Sequence, residues 1–172
     1  MRLACAALIC VVLSSVASGA TLVCFTPGED CRERLADLIA QANGEVLVQA
    51  YSLTSREVVE ALAAAGRRGV AVRVLLDGGK SRQRPEGRAA DELLAGGVEV
   101  MVDAAHAIAH NKVVDGRRIV TGSYNFSAAA QERNAENLLV IDDEALARRY
   151  AENWRRHAAH ATPFVTRSAE SR

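Results

Sequence analysis

Lysine is nearly absent from this chain: Lys80 and Lys112 are the only two among 21 basic residues, so arginine carries almost all the positive charge. An excess of either sign is lacking too, since 21 acidic residues balance the basic ones. That balance excludes a generic polyanion binder, and any contact with nucleic acid must come from a local patch. Long apolar runs are missing except at the N-terminus, where residues 3–13 fall short of the roughly 20 residues that a bilayer span needs. There is no internal repeat. Several familiar motifs are also absent. Gly79, Lys80 and Ser81 would need a glycine at position 74 to complete a phosphate-binding loop, and Val74 stands there. HAIAH at 106–110 lacks the glutamate of HExxH and precedes a strand, so no metal is expected. GSYNF is not a GxSxG elbow, which makes Ser123 an orienting partner rather than a nucleophile.

What is present suits a single folded domain: 172 residues, 49% hydrophobic and 24% charged. The N-terminus reads as a secretory signal peptide, with Arg2, the apolar run and then SSVASGA. Ser18 and Ala20 fit the small-x-small rule, which puts cleavage after Ala20. The expected organisation is a signal peptide over 1–20, one domain over 21–161 and a flexible tail over 162–172. The mature protein is expected to be periplasmic or secreted, without stable membrane association. Cys5 and Cys10 leave with the signal. Cys24 and Cys31 remain, flanking FTPGED, and in an oxidising compartment they are expected to form a disulfide.

Along the mature chain, TLVCF, EVLVQAYSL, VAVRVLLD and VEVMVD read as strands, separated by helices over about 29–42, 55–68 and 88–95. HNKVV and RRIVTG form a hairpin about Gly116, AENLLVI is the last strand, and Asp142 and Asp143 start a final helix running to about His160. This alternation argues for an α/β layer with a largely parallel sheet. The loop at 78–88 follows a strand's C-terminal end, where such folds place ligands, and carries Lys80, Arg82, Arg84 and Arg88.

Residues two apart on a strand share a face, so His110 emerges with Lys112, and Ser123 with Asn125 on the neighbouring arm. Asp115 falls on the opposite parity. An ammonium, an amide and an imidazole converging this way can hold a small anion and attack its centre. A lone strand histidine is more often a packing residue, but a lysine on a buried strand is expensive unless it has a function or a partner.

The stretch HNK, then Asp115, then GSYNF with Glu136 and Asn137 downstream, resembles the HKD signature of the phospholipase D superfamily, in particular its small secreted bacterial endonucleases. The likeness extends to CFTPGEDC, LVQAYSLTS, GVAVRVLLD and QERNAENLLVI. It implies an α-β-α sandwich with a mixed, largely parallel sheet. It also implies phosphodiester hydrolysis without metal or other cofactor, through a phosphohistidine on His110, with Lys112, Asn125 and Asp115 in the catalytic set. Ser123 and Glu136 would orient the imidazoles. The reaction needs two histidines, so one His-x-Lys implies a homodimer. The expected substrate is DNA or RNA backbone, held by the loop 78–88, with a lipid head group as the rival. One departure stands out: only Val113 and Val114 separate Lys112 from Asp115, where the family usually has four residues. An even deletion preserves facing but shortens the arm by roughly 6.6 Å at ~3.3 Å per residue. A misaligned site would leave a nucleic-acid-binding dimer without turnover.

Overall fold

The computed structural model describes residues 19, 21–110 and 112–166. All of the signal-peptide stretch except Gly19 lies outside them. An eight-stranded mixed sheet forms the centre, in the order β1-β7-β6-β5-β2-β3-β4-β8. The strands are β1 (Thr21–Thr26), β2 (Glu45–Ala50), β3 (Ala71–Asp77), β4 (Glu99–Asp103), β5 (Val113–Asp115), β6 (Arg118–Gly122), β7 (Glu136–Asp142) and β8 (Thr162–Pro163). The helices are α1 (Cys31–Ala40), α2 (Arg56–Arg67), α3 (Arg84–Ala95), α4 (Ala128–Glu132) and α5 (Glu144–Ala158).

Strand alternation sorts the core into two layers. Val46, Val48, Val72, Val74, Leu76 and Val100 pack with Leu35, Leu62 and Leu93 of α1, α2 and α3. Leu47, Leu75, Met101 and Ile119 point the other way, onto Ala147, Ala151 and Trp154 of α5. Trp154 Nε1 donates to the Val48 carbonyl at 2.8 Å, which satisfies its buried N–H and fixes the angle of α5 on the sheet. The expected sandwich is therefore present. Parallel pairing is narrower than the alternation of elements suggests: among the named strands it joins β2-β3 and β3-β4, with one isolated parallel bridge between Leu53 and Phe126. Helices α2 and α3 cross over between these three adjacent strands; the hairpin with β7 and β1 on one side, and β8 on the other, add antiparallel neighbours.

Boundaries shift where side chains bind the backbone. Asp30 accepts from the Glu33 N–H at 2.9 Å and starts α1 at Cys31 rather than Glu29. Asp143 does the same for α5 through Leu146 N–H. Helix α3 begins four residues before the expected Arg88, because Pro85 suits a first helical turn. The tail expected to fray from Thr162 is held at its start instead: β8 pairs with β4, and Phe164 N–H donates to the Val100 carbonyl at 2.9 Å. Among the described residues no helix is long and apolar enough to cross a membrane.

Cys24 and Cys31 are joined in a disulfide that ties β1 to the first turn of α1, with both residues buried. Closing a loop between cysteines seven apart in sequence stabilises by about 2 kcal/mol in the chain-entropy picture. The double substitution Cys24→Ser, Cys31→Ser is expected to lower Tm by roughly 4–8 °C in a thermal melt, with the far-ultraviolet spectrum retained.

Candidate active site

The site lies past the C-terminal ends of β2 and β3. Asp77, buried as the last residue of β3, organises its backbone. One carboxylate oxygen accepts from Gly79 and Lys80 N–H, both at 2.9 Å, and the other accepts from Ala109 N–H at 2.9 Å. A single side chain thus fixes the loop bearing Lys80 and the residue immediately before His110. Beyond β2, the Tyr51 ring stands edge-on to the His110 ring with centroids 5.7 Å apart, and Lys80 Nζ lies 5.1 Å from the Tyr51 centroid.

His110 and Lys112 precede β5 rather than lying within it, and Ser123 and Asn125 follow β6. The β2 ladder nevertheless continues to them, for Gln49 N–H donates to the Lys112 carbonyl at 2.8 Å. On the other arm, the chain passes Asn137 so closely that a Cβ on Gly122 would sit 2.3 Å from its carbonyl oxygen, and Gly122 has φ +125°. Phe126 then bonds to Ser52, Thr54 and Ser55 backbone groups, holding Asn125 beside the end of β2.

The result is convergence: His110 Nε2 lies 2.8 Å from Asn125 Oδ1 and 3.1 Å from Lys112 Nζ. One nitrogen cannot donate to a carbonyl and accept from an ammonium at once. As a nucleophile it keeps its lone pair, accepts from Lys112, and requires the Asn125 amide turned to present Nδ2. Once protonated, it donates to Oδ1. Lys112 is only 4% exposed, and burial pushes its pKa down to about 8 although the charge of Glu136 opposes the shift.

The other expected residues divide. Ser123 Oγ accepts from Asn137 N–H at 3.1 Å, so its bond orders the start of β7. Glu136 accepts from Asn134 Nδ2 at 2.9 Å and reaches the site through its field on Lys112. Asp115 is not part of the cluster. Strand β5 runs antiparallel to β2, so each residue beyond Lys112 moves toward the start of β2 and away from Tyr51. Asp115 there pairs with Arg118 at 3.0 Å and borders a groove with Gly44 and Glu45. The direction of β5 thus carries Asp115 out of the site, while His110, Lys112 and Asn125 stay together. Among the basic residues, Lys80 reaches the His110 neighbourhood through Tyr51. Arg84 and Arg88 border a groove on α3 with Gly87 and Asp91, and Arg82 borders another with Ser81, Val102 and Phe164. Sequence reasoning missed Tyr51 and Asp77, whose only signal is a polar residue ending an apolar strand.

Residues 35–158 match the family model described as the cardiolipin synthase, PLD-like domain. A phospholipase D of Rickettsia conorii is 38% identical over 144 residues, spanning 83% of this chain and 71% of the relative. One from Rickettsia felis is 41% identical over 133 residues, spanning 76% and 66%. The crystal structure of the phospholipase D family member Nuc from Salmonella typhimurium superposes with a TM-score of 0.82 at 28% identity, covering 86% of this chain and 99% of that one.

Proposed function

The chain belongs to the phospholipase D superfamily, and from that membership we propose that it is a homodimeric endonuclease that hydrolyses nucleic-acid phosphodiesters through a phosphohistidine. The observation that carries the reading is the approach of His110 Nε2 to both Lys112 Nζ and Asn125, with Lys80 beside Tyr51 at the same mouth. In the first step the Nε2 lone pair attacks phosphorus, forming the P–N bond as the P–O bond to the leaving group breaks. Lys112 and Asn125 hold the non-bridging oxygens, so the developing charge is neutralised without a cation. A second imidazole protonates the leaving oxygen. It then takes a proton from water, whose oxygen attacks phosphorus and releases His110.

The second imidazole must come from another copy. The chain has four histidines, and the three besides His110 gather around Asp103. A two-fold axis beside His110 would supply the partner's equivalent side chain. Nucleic acid is favoured over lipid because Lys80 adds a cation suited to a neighbouring phosphate, giving binding that is salt-sensitive and poor in sequence preference. A lipid head group is the second reading. The Rickettsia relatives carry the name phospholipase D, and Ile108, 58% exposed and two residues before His110, offers an apolar contact.

The test is incubation in excess EDTA with plasmid, with single-stranded DNA and with phosphatidylcholine vesicles. Backbone cleavage that falls steeply as salt rises is expected. Head-group release without DNA cleavage would replace the nuclease by the lipid hydrolase, and DNA retention without either reaction would leave a binding module.

A further inference from the structure

Histidine is scarce in this chain, yet three of its four converge on one buried carboxylate that the hydrolysis does not use. Asp103, the last residue of β4, is fully buried. Its carboxylate lies 2.8 Å from His157 Nδ1, 3.2 Å from His106 Nδ1 and 3.3 Å from His160 Nε2. One ligand atom from each of the four residues falls within 4.8 Å of every other. We propose that Asp103, His106, His157 and His160 form a structural site for one zinc ion or a similarly borderline divalent metal.

Three imidazoles and a carboxylate are a donor set that zinc accepts, and four protein ligands fill a tetrahedral shell, which marks a structural rather than a catalytic site. Bonds of about 2.0–2.1 Å place tetrahedral donors about 3.3 Å apart, so contraction from the observed spread takes only small side-chain rotations. A simple acid-base contact would need one histidine. Here the rings crowd one another as well, with centroids 4.7, 5.2 and 5.6 Å apart. Ala105 N–H also donates to the carboxylate at 3.1 Å, an outer contact of the kind that orients metal ligands. The ligands come from two distant segments, Asp-x-x-His after β4 and His-x-x-His at the end of α5. His106 and His160 remain 46% and 40% exposed, which leaves the ion a path in.

Such an ion would brace the active-site scaffold from behind. His106 lies in the segment leading to His110, and the Asp103 carbonyl accepts from Gly78 N–H at 2.9 Å, at the start of the Lys80 loop. The metal would therefore clamp α5 onto both segments that Asp77 joins at the front. It takes no part in phosphodiester chemistry, and the proposal stands whichever substrate the enzyme uses.

The test is zinc loading of the chelator-stripped protein, read by metal analysis, titration and thermal melting, beside His160→Ala, His106→Ala and His110→Asn. One zinc per chain is expected, with Tm rising by roughly 5–10 °C at about 100 times Kd. His160→Ala and His106→Ala should each weaken binding by more than about 100-fold, since losing an outer partner alone costs ~10–100-fold. His110→Asn should bind as the native protein does. Both ligand positions are partly exposed, so either variant serves if the other misfolds. Zinc content unaffected by both substitutions, or a Tm indifferent to zinc, would overturn the site and leave a hydrogen-bonded cluster.

Discussion

His110→Asn is expected to abolish phosphodiester cleavage, lowering kcat by a factor on the order of 10⁴ or more while changing DNA affinity less than about threefold. Asparagine is polar and of similar reach, but its amide nitrogen has no available lone pair and cannot form the P–N bond. Lys112, Asn125 and Lys80 remain to hold the phosphate, so binding survives. The comparison therefore separates turnover from retention, which a binding module would not distinguish. Mixing tests the second imidazole as well. If each site needs one His110 from each copy, exchange between equal amounts of native and variant protein leaves about one quarter of dimers competent. Activity per total chain should fall to that quarter, whereas independent sites would retain half. A value near one half would leave the chemistry on His110 and remove the shared site.

That His110, Lys112 and Asn125 could be found from sequence follows from their locality. They occupy 16 consecutive positions on two arms of one turn, where a period of two fixes which side chains meet. The α/β layering was legible for a similar reason, because VAVRVLLD and EVLVQA are continuous apolar runs that only a strand buried on both faces requires. Asp115 entered the expected catalytic set through the family resemblance, against its own parity, and parity in any case describes facing and not direction. Only the antiparallel pairing of β5 with β2 shows that the chain is leaving the site after Lys112. Tyr51 and Asp77 could not be assigned, since their roles depend on three strand ends being brought side by side. The Asp103 cluster was hidden differently. HAIAH shows one histidine pair within one segment, while the histidines that meet His106 at Asp103 lie beyond residue 150, at the end of α5.

Lys112 carries the second large effect, in which activity and stability are expected to move in opposite directions. Its ammonium is buried, and the pKa falls from 10.5 to about 8 because burial disfavours the charge more than Glu136 restores it. Below about pH 8 both the folded and unfolded chains hold the proton, so the folded state bears the full cost of the buried charge. Between about pH 8 and 10.5 the unfolded chain binds more proton, and stability rises with pH. Lys112→Met should therefore stabilise the protein at pH 7, by up to about 3 kcal/mol, and this advantage should disappear by about pH 10.5 in urea titrations. The same substitution removes the cation facing the phosphoryl oxygens and should cost about 10²–10³ in kcat. In the native enzyme kcat/KM should fall above about pH 8 as the free enzyme loses the ammonium. Bound phosphate favours the charged form, so the corresponding limb of kcat should lie higher. Lys112→Arg keeps a charge through this range, and whatever activity it retains should lack the alkaline limb. A limb unchanged by Lys112→Arg would assign that titration to another group. A Lys112→Met variant no more stable than the native protein at pH 7 would mean that the ammonium is already compensated within the site.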